Sequence, residues 1–159
     1  MTVGIGPAGP GDHDELFAAY ALVVDALEGF PHAPPLSLAE FDDYWFAHAA
    51  TVVVARDGTD LAGAYYLKAN FVGRAAHIAN AGYFVVAERR GRGLGRQLVV
   101  HSLGEARRLG FDALQFNLVF ESNPARALYE ELGFEVVGRI PRAVDGEDAL
   151  VYWRSLDDQ

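Results

Sequence analysis

Glu88-Arg89-Arg90-Gly91-Arg92-Gly93-Leu94-Gly95-Arg96 lies between two segments of different period, and its reading decides the fold. Ahead of it, Ala81-Gly82-Tyr83-Phe84-Val85-Val86 is rich in β-branched and aromatic residues, as a half-buried strand requires. Behind it, Leu94, Leu98, Val99, Ser102, Leu103, Ala106 and Leu109 recur at helical spacing, and Gly110 is placed to end the helix. The order is strand, glycine-rich turn, helix. The first amides of such a helix have no intrahelical acceptor, and the macrodipole adds partial positive charge there. Glycines at 91, 93 and 95 remove the side chains that would hold an anion away from the backbone. The segment reads as a phosphate cradle.

Spacing separates three glycine-rich readings. A nucleoside-triphosphate loop closes on Lys-Ser/Thr, and Gly95-Arg96-Gln97 does not supply that pair. A dinucleotide fingerprint needs G-x-G-x-x-G, whereas the glycines here fall as G-x-G-x-G. Arg90, Gly93 and Gly95 fit R-x-x-G-x-G, which resembles the acetyl-CoA pyrophosphate motif of the GNAT superfamily of N-acetyltransferases.

Composition bounds the rest. At 159 residues and 51% hydrophobic content the chain is long enough for one domain with a proper core. A formal net charge of −9 argues against nucleic-acid or anionic-membrane partners, because the summed field repels phosphate backbones. Yet four of the 13 basic residues fall between Arg89 and Arg96, which suggests one confined anion site. Without cysteine there is no disulfide framework, thiolate nucleophile or cysteine metal site, and no metal is expected. No N-terminal segment resembles a signal sequence and no apolar run approaches about 18 residues, so a cytoplasmic protein is the expectation.

In chain order, 1–11 is at most a short edge strand carrying Val3 and Ile5. From Asp12, with Glu15 at capping-box spacing, Leu16, Phe17, Tyr20, Val23, Val24 and Leu27 give a helix its apolar face. After Pro31, Pro34 and Pro35, Ser37 caps a second helix carrying Leu38, Phe41, Tyr44, Trp45 and His48. Residues 51–56 and 61–71 form a hairpin about Asp57-Gly58; 77–86 and 113–120 are further strands. A helix starting at Ser122 or Asn123 ends at Gly133, and strands at 134–140 and 149–153 flank a turn at Asp145-Gly146. The mixed order predicts an α+β fold around one twisted sheet of about six to seven strands with helices on both faces.

Phe116-Asn117-Leu118-Val119-Phe120-Glu121-Ser122-Asn123-Pro124-Ala125-Arg126-Ala127-Leu128-Tyr129-Glu130-Glu131-Leu132-Gly133-Phe134 is similar to the later part of GNAT domains, where Asn, Ala, Leu-Tyr and Gly-Phe follow in that order. With the upstream motif, the resemblance covers residues 50 to 154 and implies a single GNAT-like domain whose central parallel strands splay to admit the pantetheine arm of acetyl-CoA. It implies that the backbone of Phe84, Val85 and Val86 pairs with pantetheine and that amides from Arg90 through Gly91, Gly93, Leu94 and Gly95 to Arg96 hold the pyrophosphate. Asn123 and Arg126 would lie beside the cofactor. Tyr129 matches the family tyrosine beside the coenzyme A sulfur. Acyl transfer to an amine passes through a tetrahedral intermediate whose thiolate leaves more easily when a hydroxyl protonates it, so Tyr129 is the general-acid candidate. The alternative is a tyrosine that fills the core face with Ala125, Leu128 and Leu132.

His77-Ile78-Ala79-Asn80-Ala81-Gly82-Tyr83, taken with Phe116 to Phe120, resembles a GNAT subgroup that includes fungal L-azetidine-2-carboxylate N-acetyltransferases. The resemblance implies that Asn80, Asn117 and, at an aromatic position, Tyr83 face the acceptor, with Asn80 sharing in catalysis. Asparagine is depleted in strands, and one on each of two central strands must satisfy both ends of its amide. Each could instead bond to neighbouring backbone. His77 and Glu121 are the titratable candidates for the base on these strands, and ordered water is the alternative. The reading is an acetyl-CoA-dependent N-acetyltransferase for the amino or imino group of a small metabolite, a proline analogue in its specific form. A polyamine or aminoglycoside acetyltransferase and a non-catalytic acyl-CoA sensor remain open, as does homodimer formation, which the family often achieves through late strands.

Overall fold

Residues 2–157 are described by a computed structural model. Short glycine- and proline-bounded runs become strands and the 3.6-period stretches become helices: β1 (Val3–Pro7), α1 (His13–Asp25), α2 (Leu38–Trp45), β2 (Ala49–Asp57), β3 (Asp60–Ala69), β4 (Ile78–Val85), α3 (Leu94–Arg108), β5 (Ala113–Phe120), α4 (Arg126–Glu131), β6 (Glu135–Val144) and β7 (Glu147–Ser155). The strands make one mixed seven-stranded sheet in the order β1-β2-β3-β4-β5-β7-β6, as the expected α+β architecture requires. No described helix is long and apolar enough to cross a membrane.

The backbone divides into two compact units, one holding the chain up to Lys68 with Gly82–Ser102, the other holding Ala69–Ala81 and the chain from Leu103 onward. In the first unit, the alternation of β3 sends successive side chains to opposite faces. Tyr66 packs edge-on against Trp45 of α2 with ring centroids 5.0 Å apart, while Tyr65 meets His101 of α3 through a 2.8 Å hydrogen bond. Helices therefore cover both faces of β3. Tyr20, Phe41, Trp45 and Phe84 fill the α1–α2 side, each 5% exposed or less. Gly82 permits this packing, because a Cβ there would lie 2.6 Å from the Tyr66 ring. The α2 cap is the one its sequence announces: Ser37 Oγ accepts from the Glu40 amide at 3.1 Å, and Glu40 Oε1 accepts from the Ser37 amide at 3.0 Å.

In the second unit, β4 and β5 run parallel through Ile78↔Ala113, Ala79↔Leu114 and Asn80↔Gln115. β6 and β7 form a hairpin whose central residues Asp145 and Gly146 have φ of 50° and 83°, the type I′ turn that Asp-Gly favours. Phe116, Tyr129, Phe134 and Tyr152 make its aromatic core, with Phe116 stacked on Phe134 at 4.5 Å and tilted against Tyr129 at 4.7 Å. Element ends differ from the sequence reading at several places, and β6 and β7 run longer than expected, to Val144 and from Glu147 to Ser155. α1 stops at Asp25, α2 at Trp45 and β3 at Ala69. α4 begins at Arg126 rather than at Ser122 or Asn123, because Asn123 Oδ1 takes the Ala125 amide at 2.8 Å and holds the chain in a turn first.

Candidate active site

After Val85 the chain makes a single 3-10 turn at Ala87–Arg89 before α3. Gly91 and Gly93 take φ of 77° and 82°, a left-handed backbone that costs an L side chain about 1–2 kcal/mol. Gly93 O accepts from Gln97 N at 3.1 Å, so the amides between them precede the first intrahelical donor. A Cβ added at Gly91, Gly93 or Gly95 would meet nothing within 4 Å. The glycines at 91 and 93 are thus required by the turn, whereas Gly95 leaves an open approach to the first turn of α3. This geometry suits a pyrophosphate held by backbone amides.

The arginines of the turn are less available than their clustering suggests. Arg89 donates to Asp57 at 3.2 Å and to Asp60 at 3.1 Å, both in the β2–β3 turn region. Arg90 donates through Nε to Val85 O at 3.1 Å and through Nη1 to Glu28 at 2.9 Å, bracing the strand end against the turn. Arg92 and Arg96 are exposed. Arg89 and Arg90 are therefore balanced by the protein's own carboxylates, which leaves the backbone amides of the turn a larger share of the anion-holding capacity.

The strand residues ahead of the turn are likewise engaged. Phe84 is buried in the core with its ring 5.5 Å from that of Trp45, so its contribution to a ligand is its backbone. The Val86 amide donates to Ala62 O at 2.9 Å, and the Val86 carbonyl accepts from Arg89 N at 2.9 Å. Val85 O takes the Arg90 guanidinium. Tyr83 lies on the face turned to α3: its hydroxyl donates to Ser102 Oγ at 2.6 Å, since Ser102 itself donates to Val99 O at 2.7 Å.

In the second unit the two sequence-selected asparagines have distinct surroundings. Asn80 is 7% exposed and its Nδ2 donates to Gln115 O at 3.0 Å, bridging the last registered β4–β5 pair. Asn117 is exposed and belongs to a cluster of carboxamides: its Oδ1 accepts from Asn70 Nδ2 and Gln115 Nε2, both at 3.0 Å, and its Nδ2 donates to Asn70 Oδ1 at 2.6 Å. With the oxygen occupied twice, Asn117 has its remaining N–H to offer. Asn70 escaped the sequence reading because its partner is 47 residues away. It directly follows β3, ahead of Phe71 and Val72, and nothing local signals that pairing.

Tyr129 is 9% exposed, and its hydroxyl has no hydrogen-bond partner among the described residues. Burial, reinforced by the nearby Tyr152, pushes its pKa up to about 12. The phenol therefore stays protonated at neutral pH, which is the state a general acid needs. Arg126 donates to the Tyr152 hydroxyl at 3.0 Å and to Glu121 O at 3.0 Å, while Tyr152 donates to Glu130 at 2.6 Å. Of the two candidate bases, Glu121 is ion-paired with Arg139, and His77 donates through Nδ1 to Arg74 O at 3.0 Å, leaving Nε2 as an acceptor.

A family model described as the acetyltransferase (GNAT) family matches residues 16–134. An N-acetyltransferase of Schizosaccharomyces pombe, aca1, is 43% identical over 86 residues, which are 54% of this chain and 41% of that protein. The chain spans less than half the length of the curated relatives it matches. Among solved structures, a GCN5-related N-acetyltransferase from Kribbella flavida is 30% identical with a TM-score of 0.88, covering 96% of this chain and 97% of that one. A GNAT superfamily phosphinothricin acetyltransferase from Sinorhizobium meliloti, solved in complex with acetyl-CoA, is 25% identical with a TM-score of 0.82, covering 98% and 89%.

Proposed function

The chain belongs to the acetyltransferase (GNAT) family, and from that premise we propose that it moves the acetyl group of acetyl-CoA to the amino or imino nitrogen of a small metabolite, a proline analogue such as azetidine-2-carboxylate in its specific form. The observation that carries the reading is the turn at Arg90–Arg96, with two obligate left-handed glycines and a third that leaves the helix start open. Acetyl-CoA supplies an activated thioester whose sulfur must be protonated as it leaves. Amides of the turn bind its pyrophosphate, and the backbone at Phe84 and Val85 aligns the pantetheine arm. Tyr129 holds the proton for the departing sulfur. Asn123 and Arg126 shape the start of α4 next to that tyrosine in sequence.

On the acceptor side, Asn80 orients the amine through its carbonyl oxygen, and Asn117 offers its remaining N–H to a carboxylate of the acceptor. Positioning alone supplies a large share of the rate, on the order of 7 kcal/mol or more in favourable cases, so a strong base is not required. The subgroup resemblance supports the imino-acid acceptor. Thiol release from acetyl-CoA, measured with azetidine-2-carboxylate, proline, a polyamine, an aminoglycoside and a lysine peptide, tests the reading. Turnover confined to the cyclic imino acids is expected; turnover confined to another amine would replace that acceptor, and acetyl-CoA binding without any turnover would favour a sensor.

A further inference from the structure

Lys68 is the chain's only lysine among 13 Lys and Arg residues. It stands near the end of β3, partly buried, with Nζ 4.5 Å from the centre of the Tyr44 ring and 4.7 Å from that of Tyr66. Its one hydrogen bond, to Tyr44 O, is 3.3 Å long, and among the described residues no carboxylate lies within ion-pair distance of it. The two tyrosine rings meet edge-on at 5.5 Å, and His32 packs edge-on against Tyr44 at 4.6 Å. His32 Nδ1 in turn lies 3.0 Å from the Tyr20 hydroxyl.

An ammonium in this setting is unusual. Burial holds the Lys68 pKa below its ordinary value, opposed by the field of Asp43, and burial likewise holds His32 low. Lys68 thus sets its ammonium against aromatic rings, whereas Arg56, Arg89, Arg90 and Arg139 each meet carboxylates. A half-desolvated cation with donors to spare gains most from an anion that enters with its own charge.

We infer that Lys68, framed by Tyr44, Tyr66 and His32, binds the carboxylate of the acceptor, which makes the substrate class a zwitterionic amino or imino acid rather than a polyamine or aminoglycoside. The inference rests on the acetyl-transfer reading above. A purely structural lysine, filling a gap in the aromatic cluster, is the competing account.

Acceptors taken in pairs that differ only by the carboxylate separate the two accounts: azetidine-2-carboxylate with azetidine, and proline with pyrrolidine. In Lys68→Met the ratio of kcat/KM for the acid over its decarboxylated partner should fall on the order of ten-fold or more, the size of a lost charge-assisted hydrogen bond. The change should sit in the acceptor KM, with the acetyl-CoA KM held. An unchanged ratio accompanied by a lower melting temperature would overturn the inference and leave acetyl transfer intact. A second readout does not need turnover. Reductive methylation with 13C-formaldehyde labels Lys68 Nζ as the only lysine signal, and azetidine-2-carboxylate should raise its titration midpoint while azetidine leaves it in place. That shift without turnover of any amine would keep the carboxylate site and remove the acetyl-transfer reading; no shift with either ligand would overturn the site.

Discussion

Burial gives Tyr129 the property its position in the motif calls for, a phenol that keeps its proton to a pKa of about 12. Removing the hydroxyl should therefore cost chemistry and spare binding. In Tyr129→Phe, kcat is expected to fall on the order of 100-fold, the usual scale of a lost general acid, with little change in acetyl-CoA affinity. Equal turnover in the variant would assign the tyrosine to packing against Phe116 and Phe134 alone. The sign of the shift adds a constraint: a raised phenol pKa preserves the acid form as pH rises, so Tyr129 should impose no falling limb on kcat up to about pH 10. The sequence motif singled out this residue as the general-acid candidate. It could not show the surroundings of Asn80 or Tyr83, whose partners Gln115 and Ser102 lie 35 and 19 residues away in the chain. Their hydrogen bonds depend on strand register and on which face of a strand meets a helix, neither of which a local pattern determines.

Among the elements, the most legible were those whose ends are marked by local chemistry. The Ser37–Glu40 capping box, the left-handed Gly110 after α3 and the Asp145-Gly146 turn each sit where their residues indicate. α4 was read too early because Asn123 works two residues on, as a turn former, instead of capping the helix. A contact between helices escaped altogether: His13 at the start of α1 bonds through Nε2 to Asp42 of α2 at 2.5 Å, across 29 residues. The Asp42 hydrogen bond, helped by Asp14, raises the His13 pKa above its ordinary 6.5. A raised folded-state pKa gives stability that is fully present below the unfolded value and is lost as pH rises through the folded one. The melting temperature should accordingly decline above about pH 6.5, and His13→Gln should flatten that dependence. A wild-type melting curve with no slope in this window, or a variant with the same slope, would remove the His13 contribution.

At the level of the whole molecule, a chain of net charge −9 is asked to hold a polyanion. Sequence alone placed the answer in the helix-start amides together with a local arginine cluster. The structure shifts more of it to the backbone, because Asp57, Asp60 and Glu28 already take Arg89 and Arg90. That division of labour makes Gly95 the most informative position. Its backbone is not left-handed and a Cβ there meets nothing within 4 Å, so Gly95→Ala should fold as well as the parent, or gain about 0.5–1 kcal/mol from helix propensity. The added methyl would nonetheless stand in the approach to the first turn of α3. Calorimetric titration of acetyl-CoA into the parent and into Gly95→Ala, alongside their melting curves, tests the cradle most directly. The expected result is tight binding by the parent and a loss of affinity on the order of ten-fold or more in an equally stable variant, the scale of a 1–3 kcal/mol steric penalty. Equal affinity in the two proteins, or no binding by the parent, would contradict it.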